Sequence, residues 1–501
     1  MNNHSWKTAA RPLGRLLVLT WIAASPMALA QVDDEGGDDA QVGRPRAATS
    51  ELAQRPDERR RDSGREFTLF GKPMRFAGEW EIGHESRINY DFDEDERRDR
   101  GTLEQEIKLE ASAAVGRDSA LFLQLIGKSD IETLRENGPV ESFGEIERGQ
   151  MWLFTPRPAG LPFDLQIGRL SLVEDRSWWW DDDLDAVRLF FGGDDWVLEA
   201  GVARQLLPVS TAERGVVDAE EDELTRWFSR AAWTWRKRHR LEAYLLLSRD
   251  DSGQLAEGTV IHERRVDESD ADLDWFGLRA SGEEKLDGGH RFGYWLDVAR
   301  LTGTEYLTDF DGADGNREEV DDTIRRSVDA HAWDLGTYWS WPGRARPTLW
   351  AGWAVGSGDR NEDDDRDDAF RQTGLEENKG RFGGVKRFRY YGELMRPTLS
   401  NLDIRSIGAS MRFSKKSSVE LVLHDYRQRE ASEDLADSRI TASPTGEHRA
   451  LGQEVDLIVA VRDSASAEVL VNLASFRAGS AFGRRSGERA WFGEVVLTVN
   501  F

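Results

Sequence analysis

The sequence predicts an all-β protein, a transmembrane antiparallel up-and-down β-barrel of about eighteen strands with short periplasmic turns and long acidic extracellular loops. Segments of strand length alternate apolar with charged residues through residues 67–501, which suits a wall between lipid and water. Many of the nineteen Trp lie near strand ends, as in interfacial girdles. The chain also ends on an alternating segment, residues 491–501, whose last residue is Phe, which is typical of the final strand of such a barrel.

Two segments precede the predicted barrel. Residues 1–30 are predicted to be a secretory signal peptide, because Lys7, Arg11 and Arg15 precede a short apolar core and Ala28 and Ala30 mark a cleavage site. Residues 31–66 are rich in charged residues, Gly and Pro, and are predicted to be a disordered periplasmic leader. Residues 67–501 show no break in composition and are predicted to form a single barrel domain.

Composition excludes several classes of protein. The formal net charge is −26, which argues against nucleic acid as a partner. There is no Cys, so disulfides and thiolate metal sites are ruled out. After the signal segment no apolar run approaches the roughly 18 residues of a spanning helix. The G-x-S-x-G and H-E-x-x-H motifs are absent, and we expect no enzyme.

The connections between strands fall into two alternating classes. Short turns are predicted at residues 116–119, 155–162, 192–195, 237–240, 282–289, 342–344, 415–417 and 463–467. Long acidic loops are predicted at residues 91–101, 130–144, 173–183, 207–224, 250–270, 302–327, 356–402, 428–452 and 477–489. Eight turns and nine loops require eighteen strands with both termini in the periplasm. The loop 356–402 is the predicted constriction, because it carries several basic residues and two adjacent Gly.

Arginine supplies the main functional signal. Ten of the 67 basic residues are Lys, and the planar fork of Arg matches a carboxylate. The Arg residues at predicted water-facing strand positions include Arg75, Arg148, Arg188, Arg230, Arg236, Arg279, Arg412 and Arg462. Arg169 has the parity of the apolar Leu165 and Ile167, so we expect it at a strand end or on a bulge turned inward. Rings of Arg favour anionic permeants; the alternative is that these Arg pair with inward carboxylates as a network in the wall.

Two further features have competing interpretations. The run Trp178, Trp179 and Trp180 either anchors the external membrane interface or stacks on sugar rings, and the anchor is favoured. The acidic clusters 91–100, 181–183 and 362–368 can hold Ca²⁺ loosely through carboxylate oxygens. Because no spacing matches a defined calcium loop, we expect no cofactor.

Two blocks of sequence, residues 168–191 (GRLSLVEDRSWWWDDDLDAVRLFF) and residues 370–404, resemble the recurrent segments of the bacterial alginate-export outer-membrane porins. The resemblance implies an eighteen-stranded barrel whose Arg-lined pore passes an anionic uronate polysaccharide. It points to the motif-borne Arg169, Arg188, Arg387 and Arg389, with Asp185 orienting Arg188. Two features depart from this pattern. The predicted periplasmic turns are all short, so a lid formed by a long turn is not available, and the net charge is more negative than an exit vestibule for alginate favours.

The expected function is therefore passive, selective passage of an anionic polysaccharide, an alginate-like polyuronate, across the outer membrane. Expected partners are that polysaccharide, outer-membrane lipid and lipopolysaccharide, and periplasmic polysaccharide-export proteins, with the barrel a monomer. Two alternatives stay open: an uptake porin for small acidic solutes, and a structural or adhesive barrel with a closed lumen.

Overall fold

The computed structural model describes residues 64–501 apart from residues 70, 94–97, 116–118, 136–139, 314, 362–363 and 465. The predicted signal peptide and the predicted leader up to residue 63 lie outside the described residues. The last two residues assigned to the leader, Arg65 and Glu66, belong to a short strand, Arg65–Leu69, which pairs antiparallel with residues 72–76. The described strands therefore include two residues of the predicted leader.

Within the described residues, eighteen antiparallel strands form a closed barrel, which confirms the predicted fold class. Each strand pairs with its neighbour in the chain, and the last strand pairs with the first. The strands are Lys72–Ile88, Arg100–Val115, Ser119–Arg135, Ser142–Thr155, Asp164–Val173, Asp181–Gly192, Trp196–Ala203, Leu224–Arg236, His239–Asp250, Ser269–Lys285, Arg291–Ala313, Arg317–Ser340, Thr348–Gly356, Leu402–Arg412, Ser417–Gln428, Ala450–Val461, Ala467–Ala478 and Arg489–Asn500.

The outer face of the wall is apolar. In Ser119–Arg135, Leu123 and Leu125 are 43% and 46% exposed, whereas Phe122 and Gln124, which alternate with them, are buried on the inner face. Successive side chains of a strand point to opposite faces, so the apolar set is the one that faces away from the barrel. A belt of exposed apolar side chains around a polar interior is the pattern of a barrel set in lipid.

The predicted turns all fall between strands, and so do eight of the nine predicted loops, with bounds shifted by a few residues. The prediction of a loop at residues 302–327 is wrong. Arg291–Ala313 and Arg317–Ser340 run through it as one long hairpin. Its Thr, Gly and Asp residues favour a loop locally, but pairing with Ser269–Lys285 and with the short strand Val260–His262 holds them extended, because sheet context overrides strand propensity.

The loop of residues 357–401, here the inward loop, folds into the barrel. Its apolar side chains, among them Phe370, Phe382 and Leu394, are buried against inward-facing wall residues. Two of its segments, Lys379–Gly380 and Phe388–Arg389, pair with each other, and Arg366–Asp367 pairs parallel with the long hairpin. The loop predicted to constrict the barrel therefore lies inside it.

Helical structure in the described part of the chain is limited to short 3-10 turns. They are Pro158–Gly160, Thr211–Glu213, Glu263–Arg265, Asp287–Gly289 and Ser480–Arg485. None of these described helices has the length and apolar character needed to cross a membrane.

Candidate functional site

The hairpin of the fifth and sixth strands, Asp164–Val173 and Asp181–Gly192, leaves the wall towards its tip. Its base is part of the barrel: residues 165–169 pair with residues 151–155 of the preceding strand, and residues 186–192 pair with the next. Beyond that level neither pairing continues. The connection at residues 174–180, here the Trp loop, lies inside the barrel against the inward loop: for example, Leu375 of the inward loop accepts a hydrogen bond from the Asp181 amide.

The three Trp of this loop are buried, each 1% exposed. The ring of Trp179 stacks on Tyr244 with 4.9 Å between centroids, and the indole of Trp178 donates to the Tyr391 hydroxyl at 2.9 Å. The interpretation of this run as an interfacial anchor is wrong, and so is the exposed sugar platform. A loop that folds inward places its apolar side chains in the interior of the barrel, where they exclude water.

Glu174 closes the Trp loop. Its carboxylate accepts hydrogen bonds from the backbone amides of Arg176, Trp178 and Trp179 at 2.8, 2.6 and 3.1 Å. The guanidinium of Arg279, from the wall, also donates to it. Burial raises the pKa of Glu174, but the charge of Arg279 and these hydrogen bonds outweigh it, and the pKa falls to about 2. The carboxylate therefore stays ionised in the interior.

Arg176 joins the Trp loop to the wall on the other side. Its guanidinium pairs with Asp334 and lies 4.4 Å and 4.6 Å from the ring centroids of Trp295 and Tyr390. The Tyr391 hydroxyl donates to the same Asp334 at 2.9 Å. Burial lowers the pKa of Arg176, but Asp334 and the other nearby acidic groups raise it by more, so that the pKa lies above its ordinary value.

The Trp loop and the inward loop form one unit, here the plug. The Ser177 carbonyl accepts from the amides of Glu377 and Asn378 at 3.0 and 2.9 Å. The Gln372 side chain donates to the Trp178 carbonyl at 3.0 Å, and the Arg387 guanidinium donates to the Ser177 hydroxyl. Two segments far apart in sequence are thus fixed to each other by backbone as well as side-chain bonds.

A cavity of about 300 Å³ opens beside the plug. Half of its twelve lining residues are charged: Glu376, Glu377, Arg389, Arg396, Asp437 and Arg439. Burial lowers the pKa of Arg396, and the like charges of Arg389 and Arg439 lower it further, to about 10. Three guanidinium groups are therefore close enough to repel one another, which is an arrangement that attracts an anion.

Two Glu residues in this cavity differ in protonation. Burial raises the pKa of Glu377, but Lys379, Arg389 and Arg396 lower it to about 2, so Glu377 is an ionised partner of the arginines. For Glu376 burial dominates and raises the pKa to about 7, with Asp437 adding to the rise. The net charge of the cavity therefore depends on Glu376 near neutral pH.

Seven of the predicted pore-lining residues are on the inside. Arg188 donates twice to Gln166, at 3.1 and 2.6 Å, and Arg230 pairs with Glu199 and Glu242. Arg279 also pairs with Asp297, at 2.6 Å. The other four hold or belong to the plug: Arg387 and Arg389 lie in the inward loop, Arg412 donates to the carbonyls of Gly383 and Gly384, and Arg462 donates to that of Val385. Most of these guanidinium groups are thus engaged in ion pairs and loop anchoring.

The prediction that Arg148, Arg169 and Asp185 face inward is wrong. Arg148 lies opposite Leu125, and Arg169 lies between Met151 and Asp185, so all three share the face of the outward Leu125. No register shift accompanies Arg169 that would turn it inward. Asp185 does not orient Arg188, because residues three apart in a strand point to opposite faces; its carboxylate pairs with Arg148 at 2.5 and 2.8 Å instead.

Sequence reasoning missed several residues of the site. Arg396 was within reach, since it lies in one of the two recurrent blocks. Glu174 and Arg176 lie shortly before the Trp run in the other recurrent block, residues 168–191, and were within reach for the same reason. Arg439, from the loop of residues 429–449, pairs with Glu85 at 3.2 Å and has no local signal.

The predicted acidic clusters are dispersed. Asp181 is buried and accepts a hydrogen bond from Ser177, while Glu362 and Asp363 lie outside the described residues. Three other acidic residues lie together where the loop of residues 251–268 meets its two strands. There Asp250, Asp267 and Asp270 place carboxylate oxygens within 4.8 Å of one another. Burial raises the pKa of Asp267 to about 6, and the neighbouring carboxylates add to the rise.

The inner wall is not uniformly positive. Along the first two strands, half-exposed inward side chains include Glu79, Glu106 and Lys108, joined by ion pairs of 3.2 and 2.9 Å. Glu104 on the same face is exposed. The interior therefore carries charges of both signs, and the cavity beside the plug is a place where three arginines lie close together.

The fold is similar to crystal structures of two bacterial proteins at low sequence identity. OccK5 (OpdH) of Pseudomonas aeruginosa has a TM-score of 0.52 at 10% identity, covering 85% of this chain and 98% of its own. OccAB2 of Acinetobacter baumannii has a TM-score of 0.51 at 10% identity, with the same coverage. These likenesses concern the fold, an antiparallel barrel with an apolar outer belt, which is the architecture of an outer-membrane protein.

Sequence comparison identifies the family. The alginate production protein AlgE of Pseudomonas aeruginosa is 28% identical over 299 residues, 59% of each chain. AlgE of Azotobacter vinelandii is 28% identical over 311 residues, 58% of this chain and 60% of its own. The chain thus spans about three fifths of the length of these curated relatives. The model of the alginate export family matches residues 73–492, and the chain belongs to that family.

Proposed function

We propose that this barrel is an outer-membrane channel for passive passage of an anionic uronate polysaccharide such as alginate. The observation that carries the proposal is the cavity beside the plug, where Arg389, Arg396 and Arg439 converge. The family and the two relatives named for alginate production support the choice of polymer. The proposal includes no catalytic step.

Selectivity follows from exchange between carboxylates. Glu377 pairs with Arg389, with Lys379 at 3.2 Å and with Arg396 at 3.5 Å, so each cation already has a partial partner. A uronate carboxylate replaces that partner without leaving a guanidinium group unpaired, and it leaves again at a small cost in free energy. Permeation needs binding that is favourable enough to enter and weak enough to leave.

Conductance across planar bilayers tests the proposal. The reconstituted protein should prefer anions, and added alginate should block the current, whereas a neutral dextran should not. The double variant Arg389→Glu with Arg396→Glu should lose both the preference and the block. Arg360→Glu is the matched control, since Arg360 is a highly exposed Arg that pairs with Glu430 at 3.2 Å. Cation preference, or block that survives the double variant, contradicts the proposal.

A second candidate, uptake of small acidic solutes, is favoured by the size of the cavity. Its volume of about 300 Å³ is at the small end of ligand pockets. Liposome swelling separates the two: permeability to monomeric uronate, with no block by the polymer, favours uptake. Closed traces and no swelling under any condition favour a structural or adhesive barrel. We further propose that the barrel is a monomer that contacts lipopolysaccharide and receives polymer from periplasmic export proteins.

A further inference from the structure

The wall has a section that is not built from a barrel strand. Ser142–Thr155 pairs with the fifth strand only through residues 151–155, because the tip of that hairpin folds into the barrel. From residue 151 towards residue 142, the free edge of Ser142–Thr155 forms hydrogen bonds with residues 204–210, here the strap. The Arg148 amide donates to the Val209 carbonyl at 2.8 Å, and Glu147 and Ser210 form a β-bridge. The strap continues from the seventh strand, so it spans the gap that the hairpin leaves.

The strap lies at the depth of the membrane. Val209 is level with Arg148, which is opposite Leu125, the seventh residue of Ser119–Arg135. A spanning strand has roughly 9–11 residues within the bilayer. On the strap itself Leu206 and Leu207 are 72% and 60% exposed. They continue the outer apolar surface of Leu125 and of Ile146, which is 53% exposed.

The outward charges beneath the strap have a physical reason. Irregular backbone at membrane depth needs internal hydrogen-bond partners. The Arg148 guanidinium donates to the carbonyls of Leu207 and Pro208 at 2.9 and 3.4 Å, and Asp185 accepts from the Leu206 amide at 3.3 Å. Ser171, on the same outward face, is 3% exposed. The bidentate pair Arg148–Asp185 thus supplies hydrogen-bond partners for the backbone of the strap, and the strap covers the pair.

We propose that the strap is a surface for the acyl chains of membrane lipid, docked into the wall by the Arg148–Asp185 pair. The continuity of Leu206 and Leu207 with the apolar outer belt selects lipid over other occupants. The charges that would be costly on a lipid-facing strand are in this arrangement the internal partners of the strap backbone. The inference is independent of what passes through the lumen.

The absence of Cys makes a labelling test clean. Leu207→Cys carrying a small fluorophore, in full-length protein in liposomes, should be quenched by lipids brominated on their acyl chains and shielded from aqueous iodide. Leu421→Cys, on the outer face of a regular strand and 47% exposed, is the lipid control, and Val216→Cys, 52% exposed beyond the strap, is the water control. Quenching by iodide alone overturns the proposal, and so does energy transfer between labels on two copies of the chain.

The role of the ion pair is tested in the same labelled protein. Asp185→Asn should free the strap and raise iodide quenching at position 207 several-fold, towards that of the water control. Asp329→Asn, which removes an exposed carboxylate paired with Arg300 at 3.1 Å, should change nothing. If Asp185→Asn fails to fold, Arg148→Lys keeps the charge but loses the two-pronged donor and should have the same effect. A folded variant with unchanged quenching overturns the docking role.

Discussion

A single carboxylate, Glu174, fixes the geometry of the interior. It binds three backbone amides of its own loop and the wall residue Arg279, and its side chain is fully buried. Removing one partner of a buried pair leaves the other charged and desolvated, which costs more than the pair itself contributes. Glu174 is therefore one of the contacts that hold the Trp loop in position, together with the Arg176–Asp334 pair and the bonds to the inward loop.

We expect Glu174→Gln to lower the free energy of unfolding by about 3–5 kcal/mol, because the buried Arg279 loses one of its two charged partners. Urea unfolding in lipid vesicles, followed by tryptophan fluorescence, measures the change. Glu430→Gln is the matched control, since Glu430 pairs with the exposed Arg360 and Arg449; about 0.5 kcal/mol is expected there. Equal effects of the two variants would show that Glu174 is an ordinary surface group.

Glu376 makes the proposed anion site sensitive to pH. Its pKa is raised to about 7 by burial, so the carboxyl is neutral below that pH and negative above it. Polyuronate block should therefore weaken as the pH rises from 6 to 8, and Glu376→Gln should give strong block at both values. Bilayer current at fixed alginate concentration measures it. Block that is equal at pH 6 and 8 in the unmodified protein rules out this role of Glu376.

At the scale of elements, the plug is held at both ends. The Trp loop bonds to residues 372–378 of the inward loop. Residues 383–385 of the same loop reach the end of the barrel that carries the short turns, where Arg412 and Arg462 donate hydrogen bonds to their carbonyls. Between these anchors Phe382 stacks on Trp350, with 4.4 Å between ring centroids. The inward loop is therefore a packed part of the interior and behaves as one element.

Phe382→Ala should loosen this element and destabilise it by about 3–5 kcal/mol, the usual cost of deleting a buried aromatic ring. The expected readout is a higher and noisier single-channel current, because the part of the plug around residues 382–385 is no longer fixed. Phe276→Ala is the control, since Phe276 is 55% exposed on the outer face. Unchanged current in Phe382→Ala would mean that the inward loop does not limit the open cross-section.

Period-2 patterning predicted the wall because each strand has one face in lipid and one in water. The same pattern predicted the fifth and sixth strands and the inward position of Arg188. It could not predict that the tip of their hairpin turns inside, since the decisive contacts, such as Trp179 on Tyr244, join distant segments. The strap was out of reach for the same reason: Leu206 and Leu207 look like loop residues until the missing wall strand is known.

At the scale of the whole molecule, the last residue and the first described strand lie along the same edge of the first barrel strand. Phe501 exchanges two backbone hydrogen bonds with Gly78, each 2.9 Å long. Directly along from it, Arg65–Leu69 pairs with residues 72–76 and places Phe67 on Phe76, with 4.9 Å between ring centroids. The first barrel strand is thus covered along one edge by Arg65–Leu69 and by the last barrel strand with Phe501.

Phe67→Pro should slow barrel assembly, because Pro removes a backbone donor and cannot keep the strand pairing. The fraction of folded barrel after refolding into vesicles, read from its heat-sensitive gel mobility, measures the rate. Phe67→Leu keeps the donor and an apolar side chain and should refold at the normal rate. Identical rates for the two variants would show that Arg65–Leu69 plays no part in closure.

The seam between the first and last strands has a kinetic consequence. Glu85 lies opposite Glu494 in the strand register there, whereas the other neighbouring strands of the barrel are consecutive in the sequence and are joined by a turn or a loop. Closing so long a segment has the largest entropic cost in the ring, and contacts distant in sequence form slowly. Barrel closure should therefore be the last and slowest event of biogenesis, and an open sheet with two unpaired edges should precede it, the stage at which the chain is most exposed to proteases and to pairing with another copy.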